Sequence, residues 1–95
     1  MNKYEIMFVV RPDMEEAEIK ATAEEMKKVL TDGKVNFVEE KNMGQRELAY
    51  EVKKFKTGYY FLYIVEANSN TIDEFDRVVR INEKVIRHLI VKVED

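Results

Sequence analysis

The spacing of apolar and polar residues along the chain predicts six elements. Lys3–Val10 is rich in β-formers and reads as a first strand. Arg11-Pro12 ends it, because proline has no amide to donate to a ladder and restricts the residue before it. Ile19, Ala23, Met26 and Leu30 then recur at helical spacing, with Val29 beside them and Glu and Lys opposite. Asp13 followed by Glu16 has the spacing of a capping box, which places the helix start there, and Gly33 is its expected stop. Lys34–Lys54 is β-like, interrupted at Asn42-Met43-Gly44. In its second half Leu48, Tyr50 and Val52 alternate with Glu47, Ala49, Glu51 and Lys53, giving one apolar face. Gly44 predicts a bend or bulge within one long strand. Lys54–Gly58 is expected to turn into a third strand, Tyr59–Glu66. A second helix opens within Asn68-Ser69-Asn70-Thr71, where Thr71 and Glu74 repeat the capping-box spacing. It buries Ile72, Phe75 and Val79, flanked by Val78, and Val85–Val93 is the last strand.

The order βαββαβ predicts an α+β fold of the ferredoxin-like, split βαβ kind. Its four-stranded antiparallel sheet has the first and third strands at the centre and both helices on one face. One sheet face should then be open to water, and an open strand should alternate. Tyr59-Tyr60-Phe61-Leu62-Tyr63-Ile64-Val65 does not alternate. With Phe61, Tyr63 and Val65 under the helices, Tyr60, Leu62 and Ile64 fall on the far face. Met7 and Val9 of the first strand join them, and so do Leu89 and Val91 of the last, unless a bulge changes its register. A contiguous exposed apolar patch of this kind marks a binding surface. The competing reading is a sheet covered by the C-terminus or by self-association. A chain of 95 residues leaves little to cover it from within, which favours a protein partner.

Length and composition narrow the class. The 95 residues make one domain, 1–95, and 45% hydrophobic content suits an ordinary core. The longest strongly apolar runs, Ile6–Val10 and Tyr59–Val65, are far short of a membrane span, and the start has no signal-like apolar core. The expected location is cytoplasmic. Net charge is −3 but unevenly placed. Asp13–Asp32 holds seven acids and three bases, Lys41–Gly58 five bases and two acids, and Arg77–Asp95 five bases and three acids. An anionic partner would meet local basic ground rather than a basic protein. The plainer alternative is a solvated surface that keeps the chain soluble.

The side chains do not point to an enzyme. Without cysteine there is no disulfide or thiolate nucleophile, and the single histidine, His88, has no second metal-binding partner. A lone strand histidine is far more often packed or hydrogen-bonded than catalytic. Ser69, the only serine, stands in a helix-start context. No cofactor, metal or small-molecule substrate is expected. The stretch with possible chemistry is Gln45–Tyr60, where Arg46, Lys53, Lys54 and Lys56 suit phosphates and Tyr59 or Tyr60 suits a base or ribose.

These residues resemble a known family. Tyr4-Glu5-Ile6 followed by Arg11-Pro12 looks like its opening strand, and Gly44-Gln45-Arg46-Glu47-Leu48-Ala49-Tyr50-Glu51-Val52-Lys53 looks like its signature segment. Gly58-Tyr59-Tyr60 and Val79-Arg80-Ile81 also fit. The family is bacterial small-subunit ribosomal protein number six, and the resemblance spans the chain. Val52 stands where isoleucine is expected, a swap that keeps the β-branched shape. The longer acidic tail of some members is missing after Asp95. The resemblance implies a ferredoxin-like fold, binding to the central domain of small-subunit ribosomal RNA, and a heterodimer with ribosomal protein number eighteen. Charge and strand phase then nominate Lys3, Arg46, Lys53, Lys54, Lys56, Arg87 and Lys92 for RNA. They nominate Met7, Val9, Tyr60, Leu62, Ile64, Leu89 and Val91 for the partner. Arg80 lies in a matching motif, with a structural salt bridge as its alternative role. Two rival classes stand beside this one. The first is a single-strand RNA module using Lys56-Thr57-Gly58-Tyr59-Tyr60-Phe61, against which the first strand offers Met7 and Val9 rather than a ring. The second is a self-associating regulatory or ligand-binding domain.

Overall fold

In the computed structural model, which describes residues 1–93, the elements are β1 (Asn2–Val10), α1 (Glu16–Asp32), β2 (Asn36–Val52), β3 (Phe55–Ala67), α2 (Ser69–Ile81) and β4 (Val85–Val93). Glu94 and Asp95, which the expected domain 1–95 includes, lie outside the described residues. The sheet order is β2-β3-β1-β4, antiparallel throughout. This is the ferredoxin-like arrangement, with the two most apolar strands in the middle. Ile6, Phe8 and Val10 of β1 and Phe61, Tyr63 and Val65 of β3 face the helices. They meet Ile19, Met26 and Leu30 of α1 and Ile72, Phe75 and Val79 of α2. Phe8 anchors this core, stacked on Phe61 at 5.2 Å and edge-on to Tyr63 at 5.7 Å. Thr22 is fully buried on α1, and its hydroxyl donates to the Glu18 carbonyl at 2.8 Å, which removes the desolvation penalty.

Neither expected capping box forms. The Asp13 carboxylate is taken by the Arg11 guanidinium, at 2.7 and 2.8 Å, and α1 starts later, with Glu15 as its N-cap and no side-chain cap. Glu16 and Glu18 in the first turn offset the positive helix end instead. At α2 the N-cap is Asn68, so Thr71 is already helical, and its hydroxyl reaches Gly33 at 3.4 Å across the helix pair. Gly33 follows α1 as expected but is not its left-handed residue. Lys34 is, at φ 58, with Lys34 N–H donating to Thr31 and Val35 N–H to Leu30, the two bonds of a Schellman motif. Gly33 is required for space, since a Cβ there would lie 2.2 Å from Thr71 Cγ2.

The β2–β3 hairpin departs most from expectation. Gly44, at φ 75, marks a bulge between Asn42 and Gly44, as its position suggests. The turn, however, is only Lys53-Lys54, because Val52 pairs with Phe55, and β3 therefore starts at Phe55 rather than Tyr59. Beyond the bulge the hairpin bends across the far face of the sheet. Leu48 packs on Val9 and Ile86 there, with Val52, Phe55 and Tyr60 around them. On β4 the pairing with β1 slips between Val9 and Val10, which frees Ile86 to join this second cluster.

Candidate partner and nucleic-acid interface

The far face is an apolar band crossed by charges. In register across it lie Lys41, Leu62, Met7 and Leu89, and in the next row Glu39, Ile64, Glu5 and Val91. Met7, Leu62 and Ile64 are half-buried, whereas Leu89 and Val91 remain 51% and 45% exposed. The slip in β4 falls before these residues and leaves their phase as expected. Val9 is a correction. It lies on the far face, but its exposure is 0%, because Leu48 of the bent hairpin and Ile86 of the β4 bulge pack on it. It is unavailable to a partner in this conformation. Tyr60 is half-buried against the same cluster, so its ring serves packing first. Sequence reasoning missed Glu5 and Glu39, which frame the band. For Glu5 the opposite phase to Ile6 and Phe8 was the signal that it faces outward, whereas the register shift between Phe37 and Glu39 hid the phase of Glu39.

The seven cations divide between the two ends of the sheet. Arg46, Lys53, Lys54 and Lys56 are exposed along the bent hairpin. Arg87 faces the same end, its guanidinium 5.1 Å from the Tyr50 ring centre, so a β2 residue reaches over to a β4 residue. Lys3 and Lys92 lie at the opposite end, and Lys92 pairs with Tyr4 on the helix-covered side. Arg46 donates from Nε to the Met43 carbonyl at 3.2 Å, which holds its side chain along the strand. Arg11 also reaches the hairpin, 5.2 Å from the Phe55 ring centre, but its guanidinium serves Asp13, whose carboxyl that contact holds below its usual range.

The residues without an assigned role fall into place behind the sheet. His88 Nε2 lies 2.9 Å from Asp76 Oδ1, and Arg80 lies 3.0 Å from Asp76 Oδ2. Arg80 is thus a salt-bridge residue within α2, and the Asp76–His88 contact ties α2 to β4. A shallow cleft between α1 and β2 is lined by Lys20, Glu24, Glu40 and Tyr63, with Lys27 closing on Glu40 at 2.7 Å. Burial, aided by the nearby Glu40 and Glu24 charges, pushes the Tyr63 hydroxyl up to about 12, so it stays protonated. Among the described residues no three His, Asp or Glu side chains gather to hold a metal, and no helix is long and apolar enough to cross a membrane.

A helix-backed antiparallel sheet with an apolar band on its open face and a cationic hairpin at one end defines a small ferredoxin-like α+β domain. The comparisons place it within that class. A family model described as ribosomal protein S6 matches residues 3–92, and the chain belongs to that family. The fold is similar to a crystal structure of 30S ribosomal protein S6 from Thermotoga maritima, with a TM-score of 0.91 and 28% identity. That match covers 97% of this chain and 87% of the other. Membership carries a structural role in the small ribosomal subunit.

Proposed function

We propose that this chain, acting as a single domain, binds the central domain of small-subunit ribosomal RNA as a heterodimer with ribosomal protein number eighteen. The observation that carries the reading is the uncovered band of Met7, Leu62, Ile64, Leu89 and Val91, from which Val9 is now excluded. Glu5 on that band forms no ion pair among the described residues, which suits a basic partner. RNA would meet the hairpin cations Arg46, Lys53, Lys54 and Lys56, with Arg87 beside them. Lys3, on the open face, and Lys92, on the helix-covered face, are too far along the sheet to share that contact and would each serve a separate one. The partner supplies most phosphate neutralisation, and this chain supplies shape and a few contacts. No membrane, small-molecule substrate, cofactor or catalytic step enters the reading.

Two measurements test it. Affinity purification of the tagged chain from a bacterial lysate should recover small-subunit ribosomal RNA and a small basic ribosomal protein, and recovery of neither would overturn the assignment. Binding of this chain alone to a central-domain transcript should weaken only shallowly with salt. A slope fitting about six or more phosphate contacts would contradict the division of charge between the two proteins.

A further inference from the structure

The Lys53-Lys54 turn is built from the wrong residues for its geometry. A two-residue hairpin with positive φ at both positions, here 49 and 71, is a type I′ turn, which favours Asn-Gly. A β-carbon in the left-handed region is crowded by the following carbonyl, so two successive lysines are sterically costly. Elsewhere in the same hairpin, at Gly44, positive φ is met by glycine. Neither lysine is repaid by a local contact. Both are exposed, and neither joins an ion pair among the described residues. The arms below them are held firmly, with Val52 and Phe55 packed on the cluster of Val9, Leu48 and Ile86. The tip therefore presents two ammonium groups that join no ion pair among the described residues, above packed strands, with Lys56 and Arg46 beneath.

We propose that this turn keeps an unfavourable backbone because its two lysines clamp an RNA phosphate strand, so that stability and RNA affinity oppose each other at these two positions. The inference rests on the RNA reading above and deepens it. Ammonium groups act as point charges on phosphate oxygens, and each phosphate neutralised adds about 0.9 or slightly less to the slope of log affinity against log salt.

The test uses the full chain with ribosomal protein number eighteen and a transcript of the central domain. Lys53→Asn/Lys54→Gly relieves the turn and removes both charges, whereas Lys53→Gln/Lys54→Gln removes the charges and keeps the strain. The first variant should melt roughly 4–8 °C higher than the natural chain. Its affinity near 0.1 M monovalent salt should nonetheless fall about tenfold or more, and its salt slope should flatten by about 1–2. The second variant should lose the same affinity without the rise in melting temperature. Unchanged affinity and slope in either variant overturns the clamp, and an unchanged or lowered melting temperature in the first overturns the strain. If the natural chain itself fails to bind the transcript, the RNA reading falls and takes the clamp with it.

Discussion

Gly58 shows how a single residue shapes the far face. It is buried in β3 opposite Arg46, and its φ lies outside the left-handed region, so space alone requires glycine there. A Cβ would meet Val9 Cγ1 at 2.2 Å, with Val10 O at 3.4 Å and Ile86 Cδ1 at 3.6 Å behind it. Gly58→Ala must therefore displace an enclosed valine, and overpacking of this kind costs about 1–3 kcal/mol. Val9→Ala alone opens a void and costs roughly 2 kcal/mol. The double variant should cost less than the sum in urea denaturation, because the new methyl fills the vacated volume. Strict additivity would mean that the two side chains do not share that space. The family-like Gly58-Tyr59-Tyr60 is visible in the sequence, yet nothing in it names Val9 as the neighbour that demands glycine.

At the scale of elements, the Asp76 carboxylate joins α2 to β4. Its hydrogen bond with His88, with Arg80 beside it, holds its carboxyl below the ordinary value of 3.8. A group lowered on folding adds stability that is fully present above that ordinary value and lost as pH falls through the lowered one. Asp76→Asn should therefore be less stable than the natural chain near neutrality, with the gap closing as pH drops below 3.8. Urea denaturation across a pH series reads this, and a gap that persists to about pH 2 would show that folding does not hold this carboxyl low. Each partner is plain in the sequence. Their contact is not, because it depends on how α2 lies against β4. The hairpin offers the same lesson. Of the expected apolar face Leu48, Tyr50 and Val52, Leu48 and Val52 join Val9 and Ile86, but Tyr50 is 61% exposed beside Arg87, because the pairing of β2 with β3 shifts between Glu47 and Val52.

For the whole molecule, the question is how an acidic chain serves a ribonucleoprotein. Five of the 19 acids lie on α1, away from the far face, while Glu5 and Glu39 lie on that face, and the cations nominated for RNA stand at the two ends of the sheet. Between those ends lies the apolar band, which is the surface proposed for the protein partner. Leu89→Glu tests this directly. Leu89 is 51% exposed, so unfolding free energy should shift by no more than about 0.5 kcal/mol. Calorimetric titration with ribosomal protein number eighteen should nevertheless show affinity reduced by about tenfold or more, as expected for a charge forced into an apolar contact. Undiminished binding with intact stability would move the partner off this face.

The sequence by itself determined the six elements, their order, the helix stripes and the double apolar character of β1 and β3. Each of these is a matter of spacing between near neighbours, and period 2 or 3.6 is legible locally. Only the tertiary structure decided how much of the apolar far face stays bare. Val9, Leu48 and Ile86 are remote in the chain and meet where the β2–β3 pairing shifts at Gly44 and again between Glu47 and Val52, and the β1–β4 pairing slips after Val9. The same folding set the hairpin cations apart from Lys3 and Lys92. Strand phase shows which way a side chain points, whereas its cover is set by whatever distant segment comes to lie over it.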